Sequence, residues 1–457
     1  MAVYKKNGTE ATNVYNREGV AVNRAYDIHG NVVFPDILTS YEMFYPDDAD
    51  GSYEVDQGWN TTLTADEFLA LKYDGYVSNP PTGITVTKAS LGKDSTNTYD
   101  IYEYTFTPQH PIRKILLISG EHAYETTASF GLAHLIHHIY ADADNPTFAY
   151  IRKNVQIKVI PIMNPWAYNQ APKEYGVADG TNPERNFDYG FLWENFTSSH
   201  DGGQAGDRWN KKGDFPFQTA ETRLHANWTM ANQDADFTIN CHTGEDSNNR
   251  DVWVDYMSGS RAWSAIVAGV SKNAEEFMSK FSQSSCRTEM TATDYPNETG
   301  YGMHGAWNMF CVRTCGLTNE QAPHNTIFGN GKSNSAGAIN NYASVTATYL
   351  MEMLLDKYQW IYDSIHPSND IPITAVSGSN VSLGASDYTA NAVLTMTPSD
   401  TTQFTFDWVS SNPSVCEVWG CADQAVIVKR GTGTATITVT NRLNNSVHCT
   451  FTVTVTN

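Results

Sequence analysis

Three short apolar runs that do not alternate with polar residues constrain this chain more than anything else in it: Lys114 to Ser119, Val155 to Ile162 and Asp236 to Asn240. A strand with one wet face alternates, whereas a strand covered on both faces reads as continuous apolar sequence. Between the first two runs, Leu132, Leu135, Ile136 and Ile139 recur at helical spacing, which predicts a crossover helix over Thr126 to Tyr140. Strands over Ile84 to Lys88 and Tyr99 to Thr107 precede them, and further helices fit Ala262 to Phe281 and Asn340 to Tyr358. Thr64-Ala65-Asp66-Glu67 is a capping box that opens a short helix. The expected body is therefore α/β, with a mixed, parallel-rich central sheet flanked by helices.

A chain of 457 residues is too long for one such core. The α/β pattern breaks around Ile365 to Asp370, and beyond it come short alternating strands such as Phe404 to Trp408 and Thr434 to Val439, separated by Ser, Thr, Gly and Asn turns. That predicts an all-β sandwich. At the other end, Tyr4, Tyr15 and Tyr26 each stand four residues before Gly8, Gly19 and Gly30, an eleven-residue repeat. The tyrosines favour strands and the polar segments favour turns, but three such units are too small to fold alone and are expected to dock on a larger body or to associate between chains. The predicted division is an arm over 1–35, the body over 36–365, a linker over 366–371 and the sandwich over 372–457.

The formal charge of −21, from 50 acidic against 29 basic residues, repels nucleic acid and anionic lipid. No apolar run is long enough to cross a membrane, and the first residues lack the apolar stretch of a secretory leader. Seven cysteines are too few for a disulfide framework; Cys311 with Cys315 and Cys416 with Cys421 read first as separate buried thiols.

Chemistry concentrates just past the ends of the predicted buried strands. His122 and Glu125 follow the first, His242 follows the third, and Glu320 comes late in Thr318-Asn319-Glu320. Two imidazoles and one carboxylate suit a borderline-soft dication such as zinc, and three protein ligands leave a fourth position for water, which marks a catalytic rather than a structural site. Open α/β sheets bind ligands at the carboxyl ends of their strands, so the long sequence separation of the two histidines is no obstacle. Glu320 is then the expected base. His134 and His138 also stand four apart on the predicted crossover helix, but Leu135 and Ile136 between them point to the core, so the pair reads as a solvated helix face.

Residues from about 60 to 362 resemble the zinc carboxypeptidase family. The resemblance rests on His122/Glu125 in an H-x-x-E motif, the Asn164-Pro165 turn, Glu184-Arg185-Asn186-Phe187, Pro216 to Thr222, His242, and Trp307 thirteen residues before Glu320. It implies one zinc ion held by His122, Glu125 and His242, with Glu320 taking a proton from water and passing it to the leaving amine. It also implies a substrate pocket in which Arg185 grips a C-terminal carboxylate beside Asn186, with Tyr295 the nearer and Tyr301 the second candidate for a loop tyrosine. This chain departs from the pattern at three points: Glu184 stands where the family has Asn, Ala306 where it has Asp, and no Arg lies between Asn164 and Glu184 to stabilise an oxyanion, leaving Lys173, Arg208 or Lys211 to be weighed. Residues 372 to 457 resemble the group 2 bacterial immunoglobulin-like domain through Trp408, Ser411 to Val415, Val418, Gly420 and Lys429 to Ala435. The Tyr repeat is similar to units at the start of phage tail or baseplate proteins.

Taken together these features imply a zinc metallopeptidase that cleaves a C-terminal peptide or amide bond, with bacterial cell-wall peptides as the candidate substrate, in an extracellular, cell-surface or virion setting, with the arm as a route to homo-oligomers or virion assembly. A deacylase or amidohydrolase of the same fold is the alternative within enzymes. A non-catalytic virion or surface scaffold is the alternative outside them. Neither nucleic acid nor membrane insertion is expected.

Overall fold

The computed structural model describes residues 38–50, 62–188, 211–243, 307–313, 335–356 and 371–457, together with the backbone of short strands at 14–15, 21–22, 25–26, 32–34, 54–55, 60–61, 253–255, 287–289 and 315–320. The body is built on an eight-stranded sheet. Its strands are β1 (Ile84–Lys93), β2 (Asp100–Pro108), β3 (Arg113–Ser119), β4 (Val155–Ile160), β5 (Phe237–His242), β6 (Trp253–Asp255), β7 (Arg287–Glu289) and β8 (Cys315–Glu320), arranged β7-β6-β8-β5-β3-β4-β2-β1. The four central strands β8, β5, β3 and β4 run parallel, while β2, β1 and β6 pair antiparallel. The unbroken apolar runs fall on the parallel core, because those strands are covered on both faces: every residue of β5 is buried.

Helix α1 (Ala65–Lys72) starts at the predicted capping box, with the Thr64 hydroxyl accepting from the Glu67 amide and the Glu67 carboxylate accepting from the Thr64 amide. Helix α2 (Asp74–Ser78) follows it, and α3 (Thr126–Tyr140) is the crossover from β3 toward β4 over the predicted residues. Helices α4 (Ala149–Asn154), α5 (Pro165–Tyr168) and α6 (Ala220–Ala231) lead to α7 (Ser335–Met353), which packs on α3 so closely that a Cβ at Gly131 would lie 2.6 Å from Tyr342 Cβ. The helix predicted over 262–281 lies outside the described residues, as does most of the predicted linker.

Residues 38–50 run as an extended strap over α7 and α3. Tyr41 donates to Glu352 Oε2 at 2.6 Å, Ser344 donates to the Phe44 carbonyl at 2.5 Å, and Ala49 N–H donates to Asn340 Oδ1 at 3.1 Å. Phe44 is buried edge-on against His138 at 4.8 Å and Phe148 at 4.9 Å. His138 is thus only 9% exposed, which corrects the expectation of a solvated helix face.

Beyond residue 371, strands β9 (Ala375–Gly378), β10 (Val381–Leu383), β11 (Thr389–Thr397), β12 (Phe406–Ser410), β13 (Cys416–Trp419), β14 (Gln424–Lys429), β15 (Gly433–Asn441) and β16 (His448–Val455) form two four-stranded sheets, β9-β11-β14-β13 and β10-β16-β15-β12. Their inner residues, Phe406, Ile427, Ile437, Val439 and Phe451 among them, share one apolar core, the arrangement of a β-sandwich. Trp419, Cys421, Val426 and Val428, however, belong to the core of the body. Cys416 and Cys421 are both free thiols. In the arm, Val14–Tyr15 pairs with Ala21–Val22 and Ala25–Tyr26 with Val32–Phe34, so the second and third repeat tyrosines lie on strands. Among the described residues no helix is long and apolar enough to cross a membrane.

Candidate metal centre

The sheet order fixes where a site forms. From β3 the chain crosses through α3 to β4 on one side, while β5 lies on the other, so a crevice opens beyond the carboxyl ends of β3 and β5. Gly120 turns the chain out of β3 at φ +66°, tight against Ile162 Cα and the Pro161 carbonyl, a place a side chain does not fit. His122 and Glu125 follow directly, and His242 ends β5.

Their donor atoms converge. His122 Nδ1 lies 2.9 Å from Glu125 Oε1, His242 Nδ1 lies 3.0 Å from Glu125 Oε2, and the two Nδ1 atoms are 3.1 Å apart. All three residues are at most 3% exposed. Each imidazole has its other nitrogen turned to an acceptor: His122 Nε2 is 3.0 Å from Asn182 Oδ1, and His242 Nε2 is 3.6 Å from Glu121 Oε2. A proton on each Nε2 leaves both Nδ1 lone pairs facing one point, which is the arrangement that fits a metal ion. Separations near 3 Å are close to those between ligands bonded at roughly 2.0–2.1 Å to a shared zinc.

The supports are specific. Asn182 Oδ1 accepts from both His122 and the Glu184 amide, and the Tyr175 ring stacks on His122 at 3.8 Å. Glu125 Oε2 also accepts from Thr243 N–H at 2.9 Å, and the Tyr342 hydroxyl on α7 donates to the His242 carbonyl at 3.0 Å. Glu121 receives the Asn240 amide at 2.6 Å and stands 3.9 Å from the fully buried His225. Burial alone would raise the Glu125 carboxyl, but the His122 and His242 imidazoles hold it at about 2. Burial would lower His242, yet Glu125, Glu184 and Glu121 carry it well above the usual histidine range.

A second carboxylate competes for the third position. Ligand atoms of His122, Glu184 and His242 also fall within 4.8 Å of one another. The Glu125 grouping is tighter and uses the Nδ1 of both rings, whereas Glu184 approaches the opposite nitrogen of His122, at 3.5 Å. The geometry therefore favours Glu125 as donor and Glu184 as a neighbour that orients the ring.

Glu320 ends β8, where its backbone pairs with His242 across the parallel β5–β8 ladder. Arg185 is 2% exposed, and its Nη1 donates to Glu184 Oε2 at 2.6 Å. Asn186 commits its amide to the backbone, donating to the carbonyls of Lys212 and Phe215 and accepting from the amides of Gln218 and Thr219, so it holds the 183–219 region together. Tyr295, Tyr301, Ala306 and Arg208 lie outside the described residues. Of the cations weighed for an oxyanion, Lys173 donates to the carbonyls of Leu63 and Tyr168 and Lys211 to that of Asp179. Both are thus engaged with backbone.

Sequence reading missed Glu121, Asn182 and His225. A signal existed for two of them: Asn182-Pro183 repeats the Asn-Pro turn of Asn164-Pro165, and Glu121 is a charge set at the end of an apolar strand. His225 carries no such mark, since only the packing of α6 brings it to Glu121.

The parallel-centred sheet and the buried donor set at its crevice fit a zinc metallopeptidase of the carboxypeptidase type. The family model for zinc carboxypeptidases matches residues 84–309, and this chain carries a domain of that family, which uses one zinc ion. Among solved structures, the chain is similar to a metallo-carboxypeptidase from Burkholderia cenocepacia, at 17% identity and a TM-score of 0.45 over 64% of this chain and 69% of that one. It is also similar to carboxypeptidase A from Helicoverpa armigera, at 13% identity and a TM-score of 0.48 over 65% and 74%, and to a metallo-carboxypeptidase from Pseudomonas aeruginosa, at 14% and 0.43 over 60% and 66%. No curated protein matches the chain.

Proposed function

We propose that this zinc peptidase removes a C-terminal residue that carries an amine close to its carboxylate, as a cell-wall peptide ending in a diamino acid does. The observation that carries the reading is the buried Glu184–Arg185 pair, 2.6 Å apart and beside His122. An arginine already neutralised by a buried carboxylate gives a lone substrate carboxylate little net attraction. A substrate end with both charges satisfies both residues, and a buried ion pair tolerates a second pair far better than a single unmatched charge.

In this reading His122, Glu125 and His242 hold the zinc, which supplies a Lewis acid for the carbonyl and lowers the pKa of water. Glu320 accepts the proton of the attacking water and delivers it to the leaving nitrogen. Arg185 receives the terminal carboxylate through its planar fork, Glu184 receives the amine, and Asn186 keeps their loop in place. By the family resemblance, Tyr295, or failing it Tyr301, is the tyrosine assigned to the substrate. The repeat arm and the sandwich fit an extracellular or virion-borne enzyme that meets such peptides in the wall.

The test compares Glu184→Gln with wild type on two peptides that differ only in the amine of the terminal residue. The expected result is a kcat/KM ratio shifted toward the amine-free peptide by at least tenfold. An unchanged ratio, or a shift the other way, contradicts the assignment.

A further inference from the structure

A second cluster of metal-ligating groups lies outside this centre, where the 38–50 strap crosses α3. Asp48 Oδ1 is 3.1 Å from His138 Nε2 and 3.3 Å from His134 Nε2, and the donor atoms of the three residues fall within 4.8 Å of one another. The histidines are four apart on α3, so both rings leave the same side of the helix, with centroids 4.6 Å apart. Their side chains are 11–12% exposed, while Asp48 is 57% exposed at the mouth.

We propose that Asp48, His134 and His138 form a second site for a borderline divalent transition ion of the zinc class, one that clips the strap to α3. Four observations support it. His134 Nε2 is buried and finds no hydrogen-bond partner among the described residues, although it faces Asp48. His138 Nδ1 stands 3.8 Å from Asp142 Oδ2, an acidic neighbour that favours the proton on Nδ1 and leaves Nε2 as the donor. The strap is fixed on either side of Asp48, four residues before it by Phe44 against the His138 ring and next to it by Ala49 N–H on Asn340, so Asp48 is presented rather than free to swing. Finally, a cleft lined by Asp48, Tyr76, His134, His137 and Arg152 gives an ion and its waters access. Two imidazoles and one carboxylate with open positions make a weaker site than a closed four-ligand one, and imidazole selects zinc, nickel, cobalt or copper over calcium and magnesium.

The test is zinc stoichiometry by equilibrium dialysis and elemental analysis on the full, untagged chain, with circular dichroism to confirm folding of each variant. Wild type is expected to bind two equivalents. Asp48→Asn and His134→Gln should each weaken the second equivalent by ten- to a hundredfold while retaining the first and its peptidase activity. His242→Ala should abolish activity, lose one equivalent and keep the other, which separates this proposal from the reading of the catalytic centre. A single equivalent in wild type, or two undiminished equivalents in folded Asp48→Asn and His134→Gln proteins, overturns it.

Discussion

Glu103 on β2 shows what a buried carboxylate requires in this body. It is 8% exposed and accepts from Lys158 Nζ at 2.9 Å, from the Trp228 indole and from Thr105. Burial raises its pKa, but the Lys158, Trp228 and Thr105 hydrogen bonds and the Lys158 charge bring the net value below the ordinary carboxylate range. A carboxyl depressed on folding adds stability that is present above its unfolded pKa, near 4.3, and lost as pH falls through the folded value. Glu103→Gln should therefore lower Tm at pH 7 and show a shallower loss of Tm between about pH 5 and pH 3 than wild type; parallel Tm–pH curves would contradict this. At the metal centre the pKa shift is upward instead, while the pH dependence runs the same way. In the zinc-free protein the raised His242 holds a proton that zinc must displace, so zinc affinity should rise with pH, by about tenfold per unit while one proton is released. Competition titrations with a chelator at pH 6 to 8 measure this, and a flat profile would rule it out. The proposed ligands His122, Glu125 and His242 stood out in the sequence because such side chains seldom follow buried strands without purpose. The direction of Glu184 was not, since a side chain one residue from Arg185 can face either way until Asn182 fixes its amide.

Elements were legible in proportion to how strongly one period dominated them. Helix α3 falls on its predicted residues because Leu132, Leu135, Ile136 and Ile139 recur at helical spacing, and the parallel strands followed from their unbroken apolar runs. The strap was invisible because its hydrogen bonds join residues about 300 positions apart, such as Tyr41 with Glu352, and its own sequence has no period. Two changes test the element-level account by thermal or chemical denaturation. Thr64→Ala removes the cap of α1 and should cost about 1 kcal/mol. Gly131→Ala gains up to about 1 kcal/mol in helix propensity, yet its methyl group would meet Tyr342 at 2.6 Å, so the net effect should be a loss, with overpacking costing about 1–3 kcal/mol. A stabilised Gly131→Ala protein would show that α3 and α7 are farther apart than described.

At the scale of the whole molecule, the sandwich is docked against the body. The Trp419 ring stacks on Phe217 at 4.6 Å, Arg313 pairs with Asp423 at 2.9 Å, Arg430 reaches the Pro216 carbonyl at 3.1 Å, and Thr389 hydrogen-bonds Asp188. Phe217 holds a left-handed backbone at φ +54°, a costly conformation for an aromatic residue, and its amide donates to the Asn186 carbonyl. The sandwich thus supports the loop that carries Arg185. None of this was legible beforehand, because the strand pattern that identifies a sandwich does not say which of its outer residues meet another surface. Trp419→Ala should destabilise the protein by about 3–5 kcal/mol and split one calorimetric transition into two; a single unchanged transition would contradict the docking. The central claim is that His122, Glu125 and His242 close around one zinc facing the end of β8. Anomalous diffraction at the zinc edge, on crystals of the zinc-loaded Asp48→Asn protein, tests it most directly. The account predicts a strong peak within roughly 2.0–2.2 Å of both Nδ1 atoms and a Glu125 oxygen; a peak centred elsewhere, or no peak between these three side chains, would contradict it.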